Sequence, residues 1–229
     1  MPHNEEHLKS SDMLRDIVIG MSDGLTVPFA LAAGLSGAVS STNIIIIAGI
    51  AEVAAGSIAM GLGGYLAGKT EQDHYYSEEK REYYEVEHLR HREIEETKEF
   101  FANIGLSKEL QEKATEEIAK DKKQWVDFMM KYELGLEKPD PKRATKSALN
   151  IGLSYVVGGL VPLSPYFFLS SSTDALKVSV IVTLVCLFIF GYFKSKITGI
   201  NPWAGAFRVM MIGAAAAGAA FGVAKLLEG

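Results

Sequence analysis

A single cysteine, Cys186, stands in a chain of 229 residues. That excludes an intramolecular disulfide framework and a thiolate metal cluster. Basic charge is not in excess: 23 Lys and Arg against 28 Asp and Glu give a net charge of −5. Nucleic acid is therefore not an expected partner, whereas cations are. The largest lack is of any charge over long stretches. Residues 69–143 hold 15 of the 23 Lys and Arg and 20 of the 28 Asp and Glu. A soluble domain spreads charge along its helices, so this segregation predicts an all-α integral membrane protein with one soluble insert.

A hydrocarbon core of roughly 30 Å needs ~20 apolar helical residues. Five segments qualify: 17–38, 43–68, 147–169, 175–193 and 203–227. They divide the chain into an amino-terminal segment with two spans (1–68), an insert (69–143) and three further spans (144–229). The first span is not expected to be a secretory signal. Asp23 and Pro28 interrupt it, and Asn4, Glu5, Glu6 and Asp12 precede it where a basic flank would stand. Arg15, Lys69, Lys142, Arg143, Lys146, Lys194 and Lys196 flank one side of the spans. The positive-inside rule then puts the amino terminus and the insert in the cytosol and, with five spans, Gly229 on the far side. Arg208 is expected to snorkel to the cytosolic interface, with Trp203, Tyr192 and Tyr166 as interface anchors. Gly56, Gly61, Gly63, Gly64, Gly68 and the small residues of 213–222 allow close packing, within the protomer or across a dimer.

The insert reads as helical. Residues 71–101 contain no Pro or Gly and are rich in Glu, Lys and Arg. Asn103, Ile104 and Gly105 supply a stop, Ser107 an N-cap, and Gly135, Pro139 and Pro141 a second stop. The expected form is an α-hairpin whose first arm continues the second span. Glu82 and Glu85, and Glu93 and Glu96, are two pairs at i, i+3, each able to share a cation on one helix face. Glu-rich solvated helices also produce this spacing by chance. In the hairpin, Met129, Met130 and Glu133 close over Glu82 and Glu85, and Glu93 and Glu96 face Glu116 and Glu117. A straight first arm separates the two pairs by ~16 Å, whereas a turn near residues 88–92 brings all four glutamates together. His88 and His91 are expected to be surface bystanders.

Asp23 and Glu52 are the acidic residues well inside apolar spans. A carboxylate there needs a cavity, a partner or a proton. It can serve as a protonated structural hydrogen bond or as a relay for cations and protons. Asp23 lies ~9 Å in from the cytosolic end of its span, and Met60 is at a similar depth. Glu52, Gly56, Met60 and Gly64 recur every four residues and form one helix face. Pro28 cannot donate to the carbonyl of Gly24, which frees backbone oxygen beside Asp23. A thioether with a carboxylate suits a borderline transition metal better than Ca²⁺ or Mg²⁺. Tyr155 and Asn150 either line the same cavity or fill an interhelical contact. Cys186 reads as a small apolar filler.

Two span motifs, Asp23-Gly24-Leu25-Thr26-Val27-Pro28-Phe29 and Ala51-Glu52-Val53-Ala54-Ala55-Gly56-Ser57-Ile58-Ala59-Met60-Gly61, carry a resemblance. With five spans and an insert after the second, the chain resembles the plant-type vacuolar iron transporters, which move ferrous iron into the vacuole. The resemblance implies a secondary active transporter rather than an enzyme, exchanging Fe²⁺ for H⁺ across the vacuolar membrane. It implies a homodimer in the lipid bilayer with the pathway between protomers. It also implies that Glu82, Glu85, Glu93, Glu96, Met129, Met130 and Glu133 gather metal in a cytosolic domain. Asp23 and Met60 would bind iron in the pathway, Glu52 would couple protons, and Tyr155 would line the route. Zn²⁺, Co²⁺, Mn²⁺ or Ni²⁺ would be the substitutes for Fe²⁺. The stretch ahead of the first span is short for a full-length plant member, so the native start is expected further upstream. Two other readings stay open at this point. One is a membrane-anchored, ferritin-like di-iron protein, which an insert of two expected helices rather than four disfavours. The other is a passive divalent-cation channel.

Overall fold

The computed structural model describes residues 12–228. Asn4, Glu5 and Glu6, which argued against a secretory signal, lie outside the described residues, as does Gly229. The helices are α1 (Asp12–Ala38), α2 (Thr42–His88), α3 (Arg90–Asn103), α4 (Lys108–Ile118), α5 (Lys122–Phe128), α6 (Arg143–Phe168), α7 (Ser172–Ile197) and α8 (Pro202–Glu228). A π-helical turn, Met129–Glu133, extends α5. Among the described residues the β-structure is one isolated bridge, Ser41 to Ser171. The chain divides into two compact units: the part up to Leu66 together with that from Ala144 onward, and Ala67–Arg143.

Helices α1, α2, α6, α7 and α8 are long and apolar enough to cross a membrane. Their limits follow from caps at least as much as from hydropathy. Ser171 accepts the Asp174 N–H at 3.3 Å and starts α7 ahead of its apolar run. Asn201 Oδ1 accepts the N–H groups of Trp203 and Ala204 and starts α8 at Pro202. Backbone groups without a helical partner are costly in hydrocarbon. Pro165 cannot donate to the carbonyl of Val161, and the Ser164 hydroxyl donates there instead, at 2.8 Å.

Glycines set how closely these helices approach. A Cβ on Gly20 or Gly24 of α1 would meet the backbone of Ile151 or Tyr155 in α6. On α2, Gly56 faces the Tyr155 ring, Gly61 the Ala148 carbonyl and Gly64 the side chains of Ile151 and Ser147. Gly213 faces Leu187, but Gly63, Gly218 and Gly222 face open space, so packing within the chain accounts for only part of the small-residue pattern. The expected interface anchor Tyr166 is instead a core residue. It is 1% exposed, packs with Ala32, Ile45, Val53, Leu163 and Ala175, and shares a 2.8 Å hydrogen bond with the Ser36 hydroxyl. With its hydroxyl satisfied internally, the ring has no need of a polar boundary. Trp203 remains 59% exposed, its ring edge-on to Tyr192.

The hairpin expected for the insert is not what forms. Its first arm breaks at Leu89, where the sequence has neither Gly nor Pro. Tertiary contacts hold the break. The Arg90 guanidinium donates to the carbonyl of Ala119 at 3.0 Å and lies 5.0 Å above the Trp125 ring. The second arm is also divided, because Asp121 caps α5 by accepting the Gln124 N–H at 3.0 Å. Ser107 stands at the N-cap of α4 without a side-chain capping bond. The stops at Gly105 and Gly135 hold, both with positive φ. Glu116 and Glu117 do not face Glu93 and Glu96. Glu117 pairs with Lys120, and Glu116 lines a cleft with Arg90 and Lys98. Trp125, Val126, Met129 and Met130 form the core of this unit with Tyr75 and Val86.

Gly20→Ala should destabilise the protein by about 1–3 kcal/mol, because the obstructing atoms are backbone and cannot rotate away. Gly218→Ala, facing open space, should leave the melting temperature in detergent unchanged. Equal melting of the two variants would contradict the close α1–α6 approach.

Candidate functional site

The break at Leu89 returns α3 against the end of α2. One carboxylate oxygen from each of Glu82, Glu85 and Glu93 then lies within 4.8 Å of the others. The chain does turn near residues 88–92, but three of the four glutamates, without Glu96, form this group. Glu82 and Glu93 are 2% and 1% exposed. Oε2 of Glu82 and both carboxylate oxygens of Glu93 are buried without a hydrogen-bond partner. Buried polar atoms are ordinarily satisfied, so three such oxygens in one cluster call for a proton or a cation. Glu85 and Glu96 are partly buried and face arginines, Arg81 Nε at 3.6 Å and Arg92 Nε at 2.9 Å. Glu96 and Glu133 line a cleft of about 290 Å³ with Glu99, Phe100, Asn103 and Tyr132.

The electrostatics follow from burial and like charge. Burial raises the Glu93 carboxyl to about 8, and Glu96, Glu82 and Glu85 push it the same way. Burial also raises Glu82 to about 7, helped by Glu133 and Glu85 and opposed by Arg81. Glu133 is raised by burial and then by Glu96 and Glu85. Five carboxylates thus act on one another across this cluster. Near neutral pH it holds protons that a divalent cation would displace.

Met129 and Met130 are each 1% exposed, in the adjoining core. Met129 Sδ lies 3.4 Å from the hydroxyl of Thr97, which stands four residues after Glu93 on the same face of α3. Thr97 was not singled out from sequence, although that i+4 spacing was its signal. His88 is exposed and stacks on Tyr84 at 4.2 Å between ring centroids, outside the cluster.

In the five-helix unit, Tyr155 donates a hydrogen bond to Glu52 Oε1 at 2.5 Å, while Glu52 Oε2 is buried without a partner. Gly56, one turn along α2, leaves the space that the Tyr155 ring occupies. Asn150 takes part elsewhere. It and Ser147 donate to Asp16, at 3.4 and 3.0 Å. Asp16 is 1% exposed and was missed because it lies just outside the apolar run. It stands seven residues, two helical turns, before Asp23 and so on the same face. Asp23 and Met60 are partly buried, and Asp23 makes no hydrogen bond among the described residues.

The chain is 52% identical over 226 residues to Vacuolar iron transporter 1 of Tulipa gesneriana, covering 99% of this chain and 92% of that protein. It is 51% identical to Vacuolar iron transporter 1 of Arabidopsis thaliana, covering 99% and 90%. It is 42% identical to Protein CCC1 of Saccharomyces cerevisiae, covering 94% of this chain and 69% of that one. The family model described as the VIT family matches residues 14–225, and with that nearly complete match the chain belongs to the VIT family.

Proposed function

We propose that this protein moves ferrous iron out of the cytosol into the vacuole in exchange for protons, as a homodimer with its pathway between protomers. The observation that carries the cation part is the convergence of Glu82, Glu85 and Glu93 with three buried, unpartnered oxygens. The names of the relatives, vacuolar iron transporters at about half identity, support iron as the cargo and the vacuole as the destination. Residues 67–143 act as the cytosolic collector. Glu82, Glu85, Glu93, Glu96 and Glu133 supply hard oxygens, and Met129 and Met130 the softer thioethers that favour Fe²⁺ over Ca²⁺ or Mg²⁺. Zn²⁺, Co²⁺, Mn²⁺ and Ni²⁺ are admissible to the same donor set.

In the membrane, Asp23 and Met60 bind the metal, and Glu52 with Tyr155 handles the proton. The Tyr155 hydroxyl donates to one oxygen of Glu52 and leaves the other for a proton or a cation. Moving a divalent ion against 100 mV costs about 4.6 kcal/mol, which proton efflux from an acidic lumen would offset. Glu52 and Met60 are only partly buried within one chain. A second copy covering this face would complete the burial of both side chains, as a pathway between protomers requires. The basic residues beside the spans support the orientation, with the insert cytosolic and the carboxyl terminus lumenal.

The transport proposal is tested with the full chain in proteoliposomes. Wild type should take up Fe²⁺ only with an acidic lumen, Asp23→Ala should abolish uptake, and Glu52→Gln should reduce gradient-driven uptake at least tenfold. Uptake without a gradient would indicate a channel, and oxygen consumption without uptake would indicate an iron-oxidising protein.

Metal binding by the purified full-length chain should strengthen about tenfold or more between pH 6 and pH 8, with protons released on binding. The sign follows from the raised carboxyls of Glu82, to about 7, and Glu93, to about 8. For the same reason, the stability contributed by protonating these groups in the metal-free protein is lost as pH rises through that window. Glu93→Gln should therefore raise the metal-free melting temperature at pH 8 while weakening metal binding. Calorimetry and melting curves at the two pH values check both signs, and pH-independent binding would rule the cluster out as the capture site.

A further inference from the structure

We infer that Thr97, anchored by Trp125, positions the Met129 thioether and so sets the preference of the acidic cluster for thiophilic over hard divalent cations. This rests on the proposed capture role of Glu82, Glu93 and Met129. The Thr97 hydroxyl oxygen lies 2.7 Å from the Glu93 carbonyl and 3.4 Å from Met129 Sδ, and it accepts the indole N–H of Trp125 at 2.8 Å. Thr97 and Trp125 are fully buried and Met129 is 1% exposed, so water does not compete for any of these groups.

A hydroxyl has one proton to donate and two lone pairs to accept with. Trp125 occupies one lone pair and fixes where the oxygen sits. The single proton then has two acceptors, the carbonyl of Glu93 and the sulfur of Met129. In the metal-free protein it can rest on the thioether. When the sulfur engages a cation, the proton turns to the Glu93 carbonyl, the usual back-bond of a helical threonine, and no hydrogen bond is lost. A methionine side chain has three flexible torsions, which a metal would otherwise have to freeze. Held against Thr97, the sulfur stays one turn of α3 from Glu93, whose two carboxylate oxygens are unpartnered. A hard cation draws its ligands from the carboxylates and is indifferent to where the sulfur stands.

The test is calorimetric titration of the full-length chain in detergent with Co²⁺ as the thiophilic probe and Mn²⁺ as the harder one. Thr97→Val should weaken Co²⁺ binding about tenfold and Mn²⁺ binding less than about twofold. Thr97→Ser, which keeps the hydroxyl, should hold the wild-type ratio, and Trp125→Phe should shift it in the same direction as Thr97→Val. In a Met129→Leu background the Thr97→Val effect should vanish. An unchanged ratio in Thr97→Val, an equal loss of both metals, or an effect that persists without Met129 overturns the positioning role. Should Thr97→Val fail to fold, Trp125→Phe and Thr97→Ser carry the same comparison. Absence of binding by wild type, or a wild-type ratio in Met129→Leu alone, overturns the capture reading itself. That result is distinct from normal Met129 dependence with an inert Thr97.

Discussion

Glu82 and Glu93 are withdrawn from water while three of their four carboxylate oxygens lack a hydrogen bond. Such groups cannot all stay ionised in an empty site, because desolvation and mutual repulsion act in the same direction. The polypeptide holds them there through a separate set of contacts. Trp125, Val126, Met129 and Met130 fill the core behind the cluster, and Arg90 ties the start of α3 to Ala119 and Trp125. The apolar core and the Arg90 contacts fix the break at Leu89, and the break gathers the acids. The favourable packing is thus what keeps an unfavourable arrangement of carboxylates in place, ready for protons or a divalent ion to relieve it.

The five-helix unit meets the same constraint in another way. Two of its carboxylates accept from neutral donors on α6: Glu52 from Tyr155, and Asp16 from Ser147 and Asn150. On Glu52 the hydroxyl occupies one oxygen and leaves the other open to a proton or a cation. Gly20 and Gly24 let α1 approach the α6 backbone, and Gly56 makes room on α2 for the Tyr155 ring. The small residues and the carboxylates are parts of one design, since a larger residue at position 56 would displace the donor that Glu52 requires.

How legible this was in the sequence depends on the range of the interaction involved. The five apolar helices could be read because about 20 apolar residues in a row are a local signal with few alternatives. The glycine stops at Gly105 and Gly135 could be read for the same reason, since each needs a positive φ. The break at Leu89 could not, because no residue there disfavours helix and its cause lies about thirty residues away, at Ala119 and Trp125. Without that break the partnership of Glu82 and Glu85 with Glu93 stayed undecided. The π-turn at Met129–Glu133 was equally hidden. Asp121 was a readable cap that a continuous-helix reading passed over, and Asp16 was lost to a boundary drawn one residue too late.

Carboxylates alone discriminate poorly among divalent transition metals, whose affinities for a given site follow the metal more than the ligand list. Within residues 67–143 the only sulfur atoms are those of Met129 and Met130, and both are buried. On the proposed reading, any preference for iron over harder cations in this unit has to come from how firmly those thioethers are presented. Burial alone does not fix a side chain with three torsions, and neither does a hydrophobic contact, which has no direction. A hydrogen-bond donor supplies a directional contact to a thioether. The Thr97 hydroxyl stands against one of the two sulfurs, and its own position is set by the indole that anchors the core. Selectivity and folding would then share one residue, Trp125, which organises the break that collects the acids and orients the hydroxyl that orients the sulfur.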